Sequence, residues 1–119
     1  MSIAGAIAVS GMNVARLRLQ VAAGNVANAR SHGFSPRAVV QTDSGGGVSA
    51  TVRTVNVNRA PSTLSLALTA DTDGFAADPN FRLTNEMVRA LLARYDLLAN
   101  EKVYRADVRM SAALYGRFF

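Results

Sequence analysis

The sequence contains no cysteine, no tryptophan, a single histidine and only three prolines among its 119 residues. Without cysteine it can form neither disulfide bonds nor thiolate metal sites, and one histidine gives too few nitrogen ligands for a typical zinc site. No apolar run reaches the roughly 18 residues that a membrane-spanning helix needs. We therefore predict a protein with no metal or other cofactor and no membrane span.

Patterns that carry catalysis are equally scarce. A triad could be drawn from Ser10, His32 and Asp43, but no nucleophile elbow surrounds any serine. Residues 69–74 (TADTDG) look like the opening of a calcium loop, yet Thr69 and Asn80 stand where that loop needs acidic ligands. We predict no catalytic, cofactor-binding or metal-binding residues, no enzymatic activity and no small-molecule substrate.

A long helix is predicted at the start of the chain. The positions Ile3, Ile7, Ser10, Val14, Leu17, Val21, Gly24 and Asn28 follow one another at alternating steps of four and three residues. That spacing is a heptad seam, and it predicts a helix over about 3–29 with Ser2 as its N-cap. Gly33 is predicted to take a positive φ just after the helix, with Phe34 folding back against it.

The middle of the chain has the pattern of short strands. Alternating apolar residues predict a β-hairpin over about 38–42 and 48–58, connected through the glycine-rich segment 44–47. The spacing of Val52 and Val55 indicates either a bulge or a switch of faces. Alternation over 64–68 allows a third strand, so the β-rich region is placed at about 36–69, followed by a loop over about 70–82.

A second long helix is predicted over about 84–116, with Thr84 as its N-cap. Its apolar positions, taken together, are Val88, Leu92, Tyr95, Ala99, Val103, Ala106, Met110 and Ala113. Glu101 and Arg105 have the spacing of an ion pair on a helix surface. We predict a single domain, 1–119, that is mainly α with a small β region. Its N- and C-terminal helices form an antiparallel coiled-coil-like hairpin, with the β-hairpin inserted between them.

Helices of these lengths predict an elongated molecule. Twenty-six helical residues span about 39 Å and thirty-four about 51 Å. A compact domain of about 100 residues has a radius of gyration near 13 Å, which is too small to enclose such helices. We therefore expect a rod-like hairpin that buries its seams against neighbouring molecules.

Two amides interrupt the apolar pattern near the end of the first helix. Asn25 and Asn28 lie three residues apart on one helix face. They have two interpretations. Asparagine is tolerated in a fraying last turn, and it also fixes register when it is buried between packed helices.

The positive charge is concentrated in the first half of the chain. Residues 1–59 hold six arginines and one acidic residue, whereas residues 60–119 are balanced and the whole chain carries +5. Such an excess suits nucleic acid or an acidic protein surface. The arginines form no run and have no interleaved aromatic residues, so nucleic acid is not expected. A small basic adaptor that binds nucleic acid or an acidic partner remains the alternative function.

Two motifs at opposite ends of the chain resemble those of the flagellar axial proteins, particularly the proximal rod proteins of the basal body. Residues 23–29 (AGNVANA) followed by Gly33-Phe34 match the family's usual N-[IV]-A-N-[AS] core with its later glycine and aromatic residue. The matching motif in the last third comprises Asp78-Pro79-Asn80, Asn85-Glu86-Met87-Val88, Tyr95, Ala99-Asn100 and Lys102-Val103. The motifs occur in the family's order, and the resemblance covers nearly the whole chain.

The resemblance implies a structural subunit of the bacterial flagellar basal-body rod, and hence a role in motility. It implies self-assembly of the terminal helices, as a coiled coil, into a helical tubular structure in the periplasm. It also implies type III export without a cleavable signal peptide. The implied partners are other rod subunits, copies of itself and the export apparatus. The residues expected at subunit contacts are Ile7, Val14, Leu17, Val21, Asn25, Asn28, Gly33, Phe34, Asn85, Met87, Val88, Tyr95, Val103 and Met110.

Overall fold

Two long helices and a β-hairpin make up the fold. The computed structural model describes residues 2–31, 33–55 and 83–118. Its elements are α1 (Ile3–Ala27), β1 (Arg37–Ser44), β2 (Gly47–Thr54) and α2 (Leu83–Phe118). The helices pack against each other in antiparallel directions, and both strands of the hairpin contact α1. The predicted fold class, a mainly α hairpin with an inserted β-hairpin, is confirmed.

The molecule is elongated. Its principal extents are 71 × 23 × 17 Å, and its radius of gyration is 19.3 Å. The 36 residues of α2 alone account for about 54 Å of that length. The rod-like shape expected from the helix lengths is observed.

The ends of α1 follow local capping chemistry. Ser2 is the N-cap, and its hydroxyl accepts a hydrogen bond from the Gly5 N–H at 3.3 Å. At the other end the Asn28 N–H donates to the Gly24 carbonyl at 3.0 Å. Gly33 then takes a φ of +76°, a conformation in which glycine is favoured because it has no Cβ. The predicted N-cap and the predicted positive φ are confirmed, and the helix ends two residues earlier than expected.

The hairpin ladder is regular. Its register runs without a break from Arg37 opposite Thr54 to Ser44 opposite Gly47, and Gly45 and Gly46 form the turn. The Val55 N–H continues the pairing by donating to the Pro36 carbonyl at 2.8 Å. Because successive residues of a strand point to opposite faces, Val52 and Val55 lie on opposite faces. The ladder over 37–54 contains no bulge, so the switch of faces was the right interpretation.

A close approach fixes the hairpin on α1. The Ser10 hydroxyl accepts a hydrogen bond from the Val48 N–H at 3.1 Å and donates to the Ile7 carbonyl at 2.7 Å. A Cβ at position 47 would overlap the Ser10 side chain, and Gly47 has a φ of +148°. Glycine is therefore required at position 47 on both counts.

Several predictions fall on residues outside those described. They are the end of the second strand at 56–58, the third strand over 64–68 and the loop over 70–82. The motif residues Asp78-Pro79-Asn80 also lie there.

Candidate functional site

Asn25 joins three elements of the fold. Its side-chain oxygen accepts a hydrogen bond from the Arg37 N–H at 2.9 Å, and its side-chain nitrogen donates to the Arg37 carbonyl at 2.8 Å. The same nitrogen donates to the Glu86 carboxylate at 3.1 Å. Asn25 is fully buried, so α1, β1 and α2 are tied together at one point inside the molecule. The amide thus sets the relative positions of these elements within one chain.

Glu86 is the acidic member of this junction. It lies in the first turn of α2 and is only 2% exposed. A buried carboxylate needs partners, since an unpaired one is costly to remove from water. Arg89 supplies an ion pair from the next turn of α2, and Asn25 supplies the second donor. The negative charge is therefore satisfied on both oxygens.

Asn28 has a different and more local role. Its side-chain nitrogen donates to the Gly24 carbonyl at 2.9 Å, four residues back along α1. Its side-chain oxygen accepts from the Ser31 hydroxyl at 3.3 Å. These bonds satisfy groups at the end of the helix, as an amide in the last turn is expected to do. Asn25 therefore fits the interpretation of a buried amide that fixes register, and Asn28 fits the interpretation of an amide in the last turn of a helix.

The face of α1 that meets α2 is displaced from the predicted seam. Gly11 approaches Asn100, Arg18 forms an ion pair with Asp96 at 2.7 Å, and Asn25 bonds Glu86. These positions belong to a heptad-spaced set that we call the α2-facing row: Ala8, Gly11, Ala15, Arg18, Ala22 and Asn25. All of its members are buried or half-buried. The row is one residue along from the predicted seam, a rotation of about 100° around the helix.

The predicted seam of α1 packs mainly on the hairpin instead. Ser10 bonds Val48, and Gly24 lies beside the Arg37 guanidinium. Val14 and Leu17 line a small cavity with residues 48–50 of β2. The members proposed as subunit contacts differ in exposure: Val14 and Val21 are buried, Leu17 is half-buried and Ile7 is exposed. The predicted contact of this seam with the second helix is therefore partial. Ile7 and Val14 line a cavity with Asp96 and Asn100 of α2, whereas the hairpin covers most of the rest.

On α2 the contact with α1 also lies on an unexpected face. One set of positions at steps of four and three is buried or half-buried along the helix, and we call it the inner row: Glu86, Ala90, Ala93, Leu97, Asn100, Tyr104, Asp107 and Ser111. Asp107 receives a hydrogen bond from the Ser2 hydroxyl and another from the Ser2 N–H at 3.3 Å. Small and polar side chains thus dominate the contact with α1.

The apolar stripe predicted on the second helix points away from α1. Its large members and the large apolar residues beside them form what we call the outer row, and each is between 43% and 64% exposed: Met87, Val88, Leu91, Leu92, Tyr95, Leu98, Val103 and Met110. Tyr95 and Ala93 of the inner row lie about 200° apart around the helix. The stripe was predicted from hydrophobicity as a contact surface within one molecule or between several, and within the molecule the inner row forms the contact with α1 instead. Contacts of the stripe with other subunits stay a prediction.

The remaining predicted contact residues lie near the junction or on the surface. Phe34 is half-buried after α1, while Gly33 and Asn85 are exposed. The ion pair between Glu101 and Arg105 forms as predicted. Asp96 pairs with Arg18 across the two helices.

The signal that sequence reasoning missed is a repeat of small residues. Ala8, Ala15 and Ala22 recur every seven residues in α1, and each is at most 3% exposed. Side chains of this size let two helices approach closely. Such a repeat predicts a tight helix contact even where larger apolar residues lie beside it.

Comparison with known proteins gives no assignment: no protein-family model matches this chain, and no curated protein matches it. Within residues 2–31, 33–55 and 83–118, no cluster of His, Asp or Glu side chains is arranged to hold a metal ion. Across that same part of the chain, no helix has the length and hydrophobicity to span a membrane. The site is therefore described by its own geometry: a buried polar junction at one end and a long exposed apolar row on α2.

Proposed function

We propose that this protein is a non-enzymatic structural subunit of the bacterial flagellar basal-body rod. In this proposal it is exported through the flagellar type III apparatus and assembles in the periplasm through its terminal helices. Its partners are copies of itself and other rod subunits. The sequence support is the pair of motifs around Asn25 and Asn85, which resemble those of the axial proteins.

The observation that carries the proposal is the outer row of α2. It runs from Met87 to Met110, which is about 35 Å along a helix. Single exposed apolar residues are normal on a protein surface, but a continuous row of large ones is typical of a surface that another molecule covers. A tubular assembly supplies such a cover by placing the helices of neighbouring subunits side by side.

Tight intramolecular packing of the inner row also fits a building block. Because Asn25, Glu86 and Asp107 hold the helix hairpin together, the outer row is presented on a rigid rod. A preformed surface loses less conformational entropy on association than one that must first become ordered. In this proposal the subunit adds to a growing assembly without a large change in the conformation of its helix hairpin.

The test is a substitution in the outer row with a matched control. Leu92→Asp places a charge at the middle of the row, and Gln20→Asp places the same charge on an exposed position of α1. We expect light and X-ray scattering over a range of concentrations to show self-association of the wild type and of Gln20→Asp but not of Leu92→Asp. Circular dichroism should show the same helix content in all three, because both positions are exposed.

The rod role itself is tested in the bacterium that encodes the chain. We expect a strain lacking the gene to be non-motile in soft agar, with no complete rod in electron micrographs of its basal bodies. The wild-type gene and Gln20→Asp should restore motility, whereas Leu92→Asp should not. Normal motility without the gene would overturn the rod proposal.

The salt dependence of binding distinguishes this function from the alternative of a basic adaptor that binds nucleic acid. Binding through phosphate contacts weakens steeply as salt rises, because bound counterions are released. Association through the apolar outer row should hold constant or strengthen between low and high salt. Tight, salt-sensitive binding of an oligonucleotide would favour the alternative.

A further inference from the structure

Sulfur occurs in this chain only as methionine. The sequence contains four methionines and no cysteine. An oxidant that acts on sulfur can therefore form neither a disulfide nor a sulfenic acid here, and the methionine thioether is the group that it oxidises. Met12 of α1 and Met87 and Met110 of α2 lie in the described part of the chain.

These three methionines differ in exposure. Met12 is buried, at 8%, whereas Met87 and Met110 are 57% and 64% exposed. The oxidant must reach the sulfur atom, so exposed methionines react before buried ones. We therefore expect Met87 and Met110 to be oxidised while Met12 stays reduced.

Both exposed methionines belong to the outer row. They are its first and last members, about 35 Å apart along α2. A methionine thioether suits an apolar contact because it is unbranched and polarisable. The sulfoxide is polar, and burying a polar group without a hydrogen-bond partner costs free energy. Oxidation at either position therefore opposes the covering of the outer row by another molecule.

The reaction is the transfer of an oxygen atom from a peroxide. A lone pair of the thioether sulfur attacks one oxygen of hydrogen peroxide, so that the O–O bond breaks and an S–O bond forms. The sulfur is oxidised by two electrons to the sulfoxide, and the second peroxide oxygen takes up the proton of the first and leaves as water. Methionine sulfoxide reductases reverse the change by taking two electrons from a dithiol and releasing the oxygen as water.

We propose that Met87 and Met110 are oxidation sites and that peroxide, by converting them to sulfoxides, prevents assembly of the free subunit. The effect on assembly rests on the proposed self-association through the outer row, whereas the assignment of the sites rests on exposure alone. Subunits that have already assembled cover these two side chains and are protected. The oxidation state of α2 thus decides whether a subunit can be added.

Peptide mapping by mass spectrometry tests the sites. The full chain is treated with dilute hydrogen peroxide, quenched at intervals and digested. In dilute samples, Met87 and Met110 should be oxidised several times faster than Met12. In concentrated samples, where the chain self-associates, the rate should fall at Met87 and Met110 and stay the same at Met12. Equal rates at all three positions in dilute samples would overturn the assignment.

Scattering over a range of concentrations tests the effect on assembly. Wild type in which Met87 and Met110 are fully oxidised should self-associate at least about tenfold more weakly, because each sulfoxide places a polar group in the contact. Met87→Gln/Met110→Gln should show a similar weakening without peroxide. The circular dichroism spectrum should be unchanged in both cases, because the two side chains are exposed.

A pair of leucine substitutions provides the matched control. Met87→Leu/Met110→Leu keeps the outer row apolar but removes its sulfur, so its association should not respond to peroxide. Met12→Leu makes the same change at the buried position and should remain as sensitive to peroxide as wild type. Loss of association by the peroxide-treated leucine pair would overturn the proposed effect on assembly. Absence of self-association in untreated wild type would contradict the proposed function and with it that effect, while the oxidation rates would still decide the assignment of the sites.

Discussion

The packed face of α2 carries the smaller and more polar side chains and its exposed face the large apolar ones, which is the reverse of an ordinary surface helix. The inner row, which packs on α1, consists mainly of small and polar residues, with Leu97 and Tyr104 as its larger members. The outer row consists of large apolar side chains that are exposed. In a self-contained hairpin, hydrophobic burial would place the larger side chains inside. The difference indicates that close approach and polar pairing hold the helices of one chain together, while the larger apolar area stays exposed.

The largest effect is expected from removing Asn25, whose side chain links α1 to Glu86 of the inner row. Asn25→Leu should lower the free energy of unfolding by about 2 kcal/mol or more. The buried Glu86 carboxylate would lose a donor, whereas the part-buried backbone groups of Arg37 can bond water instead, and leucine's apolar surface offsets part of the loss. Urea unfolding monitored by circular dichroism measures the change.

The control for that variant is Asn28→Leu, because Asn28 bonds only groups at the end of α1. Its loss should cost no more than about 1 kcal/mol, as for other single hydrogen bonds near a helix end. Equal stability of wild type and Asn25→Leu would show that the polar junction contributes nothing to the contact between the helices.

A change of size compares the two faces directly. Ala93 is fully buried in the inner row, so Ala93→Leu should overpack the contact and cost about 1–3 kcal/mol. Ala99→Leu makes the same change at an exposed position of α2 and should shift stability by less than about 0.5 kcal/mol. Thermal unfolding of the two variants separates them. Similar melting temperatures would mean that the inner row is loosely packed.

The smallest expected change in stability comes from the ion pair between Asp96 and Arg18, which lies at the edge between the two faces of α2. Asp96→Asn removes the ion pair with Arg18, in which the side chains are 54% and 29% exposed respectively. Such a pair is worth at most about 1 kcal/mol, and salt screens it. We expect a loss within that range at low salt that shrinks at high salt, measured by denaturant unfolding. A loss that does not depend on salt would point to packing in place of charge.

Much of the architecture could be predicted from the spacing of apolar residues and from the capping and turn residues that end each element. Ser2, Gly33 and the glycine-rich turn at 44–47 mark the ends of elements through local chemistry that does not depend on the rest of the fold. Both long helices follow from apolar residues at steps of three and four. The regular hairpin follows from alternation over residues 38–52.

The choice of contacting face could not be predicted in the same way. Hydrophobicity ranks Val14 above Ala15 and Leu92 above Ala93, yet Ala15 and Ala93 belong to the rows that bring the helices together. Glu86, the partner of Asn25 on α2, lies 61 residues away along the chain, so the sequence spacing carries no local signal of this contact. Contacts between distant segments depend on how closely two backbones can approach, and a single helix pattern does not contain that distance.

The glycine turn has a practical consequence for anyone who wishes to follow this chain in a cell. A side chain added at Gly45 or Gly46 would meet nothing within 4 Å, whereas one at Gly47 would collide with Ser10. A fluorophore-binding tag inserted between Gly45 and Gly46 would therefore project from the tip of the hairpin. The tag would lie away from both rows of α2, so the labelled chain could be imaged without disturbing the contact with α1 or the exposed apolar row.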